Sequence, residues 1–318
     1  MADLLDFEEP IGILQKEIEA LSVLPSTLDR QRDIARLEAR ILEIRQELYS
    51  KLTPWQRVLV ARHPARPTTL DYVEQLFTDF VEIRGDRRFA DDHAIVAGTA
   101  AFHGAPVMVV GHQKGSDTKS KIYRNFGYAR PEGYRKALRA MQLAEKFGRP
   151  IVSFVDTPAA YPGIESEERG VAEAIAVNLR EMAVLDVPII VVVHGEGGSG
   201  GALNIAVGDR ILMHEFAIYS VIPPEGCAAL LWRDTDRKMQ AAEALKITAP
   251  DLLALEVIDE IVPEPTGGAH CDPVAAGATL DAAIARVLAE VGALTSDDRL
   301  DQRYAKFRRM GQAGLVEA

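Results

Sequence analysis

The residues best placed to do chemistry lie at Gly195-Glu196-Gly197-Gly198-Ser199-Gly200-Gly201, five glycines in seven positions, after the β-branched run that ends at His194 and before the small-residue stretch Ala202–Gly208. Each glycine costs about 0.5–1 kcal/mol relative to alanine in regular structure, so a cluster of this density marks a place where backbone must approach something closely. Three chemistries fit the same letters.

Gly195-Glu196-Gly197-Gly198-Ser199-Gly200 matches the G-x-G-x-x-G dinucleotide pattern between a strand and a helix, with Glu215 twenty residues on. The loop lies nearly two-thirds into the chain, however, and no mononucleotide-binding half starts there. Gly197-Gly198-Ser199-Gly200-Gly201 also matches the G-x-S-x-G nucleophile elbow of a serine hydrolase, and Asp259 and His270 follow in the required order. With seven histidines and many acids in the chain, such an order arises easily by chance. The third reading needs only backbone: consecutive glycines at a helix start present N–H groups to a developing negative oxygen, and the helix dipole reinforces them.

A second feature is electrostatic. Residues 114–139 hold eight basic side chains (Lys114, Lys119, Lys121, Arg124, Arg130, Arg135, Lys136, Arg139) against Asp117 and Glu132, inside a chain of net charge −11. Lys114 and Lys119 are therefore candidates for binding an anionic ligand, set against a solvated helix face with interface ion pairs.

The elements that must position these residues follow from the totals and the periodicity. At 318 residues, 47% hydrophobic and 26% charged, the chain can bury a large core. Its acidity argues against nucleic acid as the main partner. Two cysteines, Cys227 and Cys271, lie outside any C-x-x-C spacing, so no structural zinc is expected in this chain and a reduced, cytoplasmic compartment is. The acidic start, Met1 to Glu9, lacks the apolar core of a signal peptide, and no apolar run reaches membrane-spanning length.

Apolar residues at spacings of three and four predict helices over 10–24 and 28–52, broken at Pro25, an antiparallel hairpin suited to packing on a partner. Thr53-Pro54 starts another helix, and a further one is predicted over 70–82. Strands follow over 94–102 and 106–111, linked by His103-Gly104-Ala105, and a polar loop at 111–119 leads to a helix over 131–147. Further strands are predicted at 151–155, 189–194, 210–214, 216–222 and 257–262. The helices between them are expected over 165–184, from the glycine loop to Gly208, and over 225–232, 235–246 and 274–291. Strands alternating with helices make an α/β domain over residues 86–295, with a helical arm at 1–85 and a tail at 296–318.

Four segments together resemble the alpha subunit of the carboxyltransferase of bacterial multisubunit acetyl-CoA carboxylase. They are Gly111-His112-Gln113-Lys114-Gly115 with Asn125-Phe126-Gly127; Pro131-Glu132-Gly133-Tyr134-Arg135-Lys136-Ala137; the Asp156–Gly163 loop; and Gly195–Ala202 continued by Pro224-Glu225-Gly226-Cys227-Ala228. Leu5-Asp6-Phe7-Glu8 and Pro263–His270 extend the resemblance to nearly the whole chain.

The resemblance implies a crotonase-like (ClpP/crotonase) fold, a spiral of ββα units with two sheets at a steep angle. It implies a homologous beta subunit in an α2β2 assembly, with acetyl-CoA and a small zinc domain on the beta side. The alpha side would receive carboxybiotin from the biotin carboxyl carrier protein, and ATP is used by a separate biotin carboxylase. No cofactor is covalently held in the alpha chain. The reaction implied is carboxyl transfer to acetyl-CoA, giving malonyl-CoA for fatty acid synthesis, with Gly200 and Gly201 as backbone oxyanion donors and Gly197 and Gly198 shaping the loop that binds carboxybiotin. A serine hydrolase acting through Ser199 and a non-catalytic scaffold are the rivals. Two departures stand out: Ala159 where the family usually has glycine, and Pro223 where serine is commoner.

Overall fold

The computed structural model describes residues 4–311; Met1–Asp3 and residues 312–318, the end of the expected tail, lie outside the described residues. Helices α1 (Glu9–Ser22) and α2 (Leu28–Ser50) pack on each other as the expected hairpin. The hairpin is fastened where Glu8, 2% exposed, accepts a hydrogen bond from the Tyr49 hydroxyl at 3.0 Å. Helix α3 (Pro54–Ala61) starts with a reciprocal cap: Thr53 Oγ1 accepts from Gln56 N and Gln56 Oε1 from Thr53 N.

Helix α4 (Thr69–Leu76) stops short of residue 82, because Thr78–Glu82 is strand β1, antiparallel to β2 (Ile95–Phe102). Thr, Phe and Val suit a pleated surface, and pairing with β2 overrides the residual helical spacing. The turn to β3 (Ala105–His112) has only two residues, His103 and Gly104, both at positive φ, and Ala105 already pairs with Phe102. Within the expected polar segment a short helix α5 (Thr118–Tyr123) forms, capped by Asp117 Oδ1 on the Lys119 and Ser120 amides.

Helix α6 (Pro131–Lys146) and strand β4 (Ile151–Thr157) follow as expected. The single helix expected over 165–184 is divided at Gly170, φ +76°, into α7 (Ile164–Glu168) and α8 (Val171–Val184). Next come β5 (Ile189–Gly198), the one-turn α9 (Ser199–Leu203), β6 (Arg210–His214) and β7 (Ile218–Ser220). The chain then forms α10 (Pro224–Trp232), α11 (Lys238–Ala244), α12 (Ala249–Ala254), β8 (Glu260–Val262), α13 (Pro273–Gly292) and α14 (Ser296–Arg309). Helix α9 ends well before Gly208, and α12 occupies a stretch where the periodicity suggested no element.

The sheet runs β1-β2-β3-β4-β5-β6-β8, parallel from β3 onward, so the architecture is α/β. Strand β5 is the pivot: Ile190–Val193 pair with β6, whereas Glu196–Gly198 pair with β7, which leaves the main path. Hydrogen bonding joins all eight strands into one sheet, with β7 as a branch off β5. Alternation splits the core. Ile151, Val155, Ile189, Val191 and Val193 pack with residues of α6 and α8, while Val152, Phe154, Ile190 and Val192 pack with residues of α4 and α13.

Helix α14 is pinned rather than loose. Arg303, 1% exposed, donates to Asp209 at 2.8 and 2.9 Å and to the carbonyls of Met182, Leu185 and Val187, the turn that feeds β5. A planar fork of donors satisfies both the carboxylate and three stranded carbonyls at once.

Candidate active site

Strand β5 continues four residues past His194, so Gly195 and Gly197 belong to a strand. The glycines are needed because a second loop, residues 156–160, lies directly on them. A Cβ at 195 would stand 2.6 Å from Asp156 Cγ, one at 198 would overlap the Pro158 carbonyl, and one at 201 would overlap Ala159 and Ala160 backbone. A Cβ at 197 would stand 2.6 Å from the Tyr219 ring of β7. Ser199, at φ +51°, turns the chain from strand into α9. Gly200 and Gly201 therefore sit in the first turn of a helix, where amides lack an intrahelical acceptor. Gly201 is buried and Gly200 half-buried. A cleft of about 340 Å³ opens beside them, lined by Ser199, Gly200, Leu203, Tyr219, Leu252 and Val257 among others.

An ionic network holds the two loops together. Lys114 Nζ, carried from the end of β3, lies 2.7 Å from Asp156 and 2.6 Å from Glu196. Arg62, just after α3, reaches Glu196 with Nε at 2.6 Å and Glu225 of α10 with Nη1 at 2.5 Å. Asp156 Oδ1 also accepts from the Glu196 amide at 2.8 Å. Burial disfavours every charge here, yet the mutual attraction wins: Lys114 is raised above its ordinary value, and Asp156 and Glu196 are lowered by Lys114.

Behind the network the histidines are neutral. Burial lowers His112 and His194 to about 3 and His214 to about 4. His112 Nε2 donates to the Gly201 carbonyl at 3.2 Å and so orients the peptide that follows Gly201. His112 and Glu196 lie within stretches the sequence reading singled out, but without a role. Arg62 had no such signal, because its partners are more than a hundred residues away.

The hydrolase triad is not assembled. Asp259 accepts from the Ile211 amide and pairs with Lys306, at the level of Val191 in β5 and so roughly 20 Å along the strand from Ser199. His270 is stacked on His63 at 3.8 Å. The dinucleotide pattern fails on geometry too: its first glycines are paired strand residues, α9 has five residues, and Glu215 Oε2 accepts from the Glu264 amide.

The basic segment is mostly internal. Besides Lys114, Arg135 pairs with Asp86 and Lys136 with Asp91, Arg124 and Arg139 donate to backbone carbonyls, and Arg130 covers the Tyr161 ring. Lys119 and Lys121 remain on α5 without an ion pair among the described residues, and Lys119 is exposed. At the two departures, the Ala159 carbonyl accepts from Thr157 Oγ1 at 2.9 Å, and Pro223 caps α10, its carbonyl accepting from Cys227 N.

The family model described as acetyl co-enzyme A carboxylase carboxyltransferase-like matches residues 4–311. Two relatives carry the name acetyl-coenzyme A carboxylase carboxyl transferase subunit alpha. One, from Geobacter metallireducens, is 58% identical over 309 residues, 97% of each chain. The other, from Thermosynechococcus vestitus, is 56% identical over 310 residues, 97% of this chain and 96% of its own. Among solved structures, transcarboxylase 12S with methylmalonyl-coenzyme A bound aligns with a TM-score of 0.56 at 20% identity, over 70% of this chain and 41% of that one. A Pseudomonas malonate decarboxylase hetero-tetramer with coenzyme A aligns at 0.57 and 18%, over 70% of this chain and 91% of that one. These structural likenesses establish the crotonase-like fold.

Proposed function

The chain belongs to the acetyl-coenzyme A carboxylase carboxyltransferase family, among its alpha subunits, and on that footing we propose how its glycine strand takes part in the transfer. The chain contributes half of an active site, and a beta subunit completes it. Carboxybiotin on a carrier protein supplies the carboxyl group. As the N–CO2 bond breaks, its electron pair stays on the ureido group; the ring nitrogen then takes a proton from the acetyl methyl, and the resulting carbon forms the new bond to CO2.

The part of this chain is to hold the ureido oxygen while negative charge sits on it. The amides of Gly200 and Gly201, at the start of α9, are the donors we assign, and removing one such donor typically costs about 10²–10³ in rate. Gly197 and Gly198 give the strand its close seat on β7 and on the 156–160 loop. Lys114 acts by clamping Asp156 to Glu196, whereas Lys119 is free to meet an anion. The observation that carries this reading is the bare backbone of Gly200 at the mouth of a cleft, with Asp259 and His270 held by other partners rather than by Ser199.

We further propose an α2β2 assembly in which the α1–α2 hairpin of the arm at 1–85 packs on partner chains, while α4 and β1 at the end of that stretch join the core and sheet of the domain at 86–295. Zinc belongs to the beta subunit, ATP to a separate biotin carboxylase, and the assembly to the cytoplasm. The test is co-expression with a candidate beta subunit, followed by a malonyl-CoA assay with biotin carboxylase, carrier and ATP. Product that requires both chains is expected; a purified complex that yields none overturns the reading.

A further inference from the structure

The cleft beside α9 is largely apolar, walled by Leu203, Tyr219, Leu252 and Val257, and Lys246 is its one charged lining residue among the described residues. Lys246 is exposed, and no carboxylate among the described residues pairs with it.

Its backbone is unusual as well. Lys246 has φ +53°, in the left-handed region that disfavours a side chain and suits glycine. The neighbouring residues impose that conformation. Tyr219 N donates to the Ile247 carbonyl at 3.1 Å, Ile218 bridges Thr248, and Ile247 and Thr248 are 1% and 5% exposed. Strand β7 in turn pairs Tyr219 with Gly197 and Ser220 with Gly198. The Lys246 backbone is thus held in register with the glycine strand through two steps of hydrogen bonding, and Lys246 lines the same cleft as Gly200.

We propose that Lys246 binds the carboxylate of the carboxylated ureido ring in this cleft, opposite the Gly200 and Gly201 amides. A ligand carrying several phosphates would meet one cation here; an apolar ring bearing a single carboxylate matches both the walls and the lone charge. Holding the carboxylate from one side while the amides face the ureido oxygen aligns the bond that breaks. The proposal rests on the carboxyltransferase reading above.

The experiment uses the complex with the beta subunit and compares wild type with Lys246→Met, Lys246→Arg and Lys246→Gly. Loss of a charge-assisted contact should raise KM for carboxybiotin about tenfold or more in the Met and Gly variants, with Arg within about threefold of wild type. KM for acetyl-CoA should not change, and Lys246→Gly should unfold at the same or a higher temperature, because it relieves the left-handed strain. Unchanged carboxybiotin KM in both Met and Gly variants, or a rise confined to acetyl-CoA, overturns the proposal. A wild-type complex without malonyl-CoA formation would instead overturn the carboxyltransferase reading.

Discussion

Gly201 passes so close to Ala159 that a Cβ at position 201 would overlap the Ala159 carbonyl carbon and stand 2.9 Å from its oxygen. The glycine loop and the 156–160 loop are one packed unit, and the room at each glycine differs. At Gly200 a Cβ would meet only Ile175 Cδ1, at 3.3 Å, the end of a flexible side chain.

Alanine at the two positions should therefore behave differently. Gly200→Ala keeps its amide and displaces one methyl group, so it should retain at least about half of wild-type kcat. Gly201→Ala must push the 159–160 backbone aside, moving the donors, and should lose about 10²–10³ in kcat. Valine at 201 would collide harder. Steady-state malonyl-CoA kinetics on complexes of equal composition checks this, and an active Gly201→Ala enzyme would count against amide donors in this loop.

Ser199 sits at φ +51°, and Asp259 and His270 are engaged elsewhere, with Ile211 and Lys306 and with His63. Ser199→Gly should keep most of the transferase activity and gain roughly 1 kcal/mol of stability from the relieved backbone. Complete loss of activity in both Ser199→Gly and Ser199→Ala would restore the nucleophile reading.

Lys114 and Lys119 should separate into a clamp and a ligand contact. Lys114→Met leaves Asp156 and Glu196 buried without their shared cation, which costs about 3 kcal/mol. Urea unfolding reads that loss, with KM values little changed in enzyme that remains folded. Lys119→Ala should leave unfolding alone and raise KM for an anionic substrate. If Lys114→Met unfolds like wild type, its clamping role is wrong.

Acid should weaken the fold through its buried histidines. Burial holds His112 and His194 near 3 and His214 near 4, against 6.5 when unfolded, so the unfolded chain binds the extra protons. Stability is fully present above about pH 6.5 and is lost as pH falls toward those folded values. At pH 5 each histidine accounts for about 2 kcal/mol, although neighbouring sites do not add fully. Glu264 contributes lower down: burial would raise its carboxyl, but Arg66 brings it to about 2, so its share disappears between 4.5 and 2. Unfolding free energies at pH 7.5 and pH 5 test the histidine window, and equal values would refute it.

The sequence alone determined much of this protein. Hydrophobic spacing located the helical hairpin and the buried strands, and Thr53-Pro54 marked a helix start, since each depends on neighbours within a turn or two of chain. Glycine density located the loop, since a missing Cβ is itself legible. Only the tertiary structure decided what those residues meet. Thr78–Glu82 became a strand because β2 offered it hydrogen bonds, and β5 ran on to Gly198 because β7 did the same. Lys114 turned inward because Asp156 and Glu196 waited there, and Lys246 was left facing the cleft with no such partner. A charge is read from the letter, but its partner depends on packing between segments far apart in the chain, and at a few ångströms that packing decides whether a lysine clamps a fold or faces a ligand.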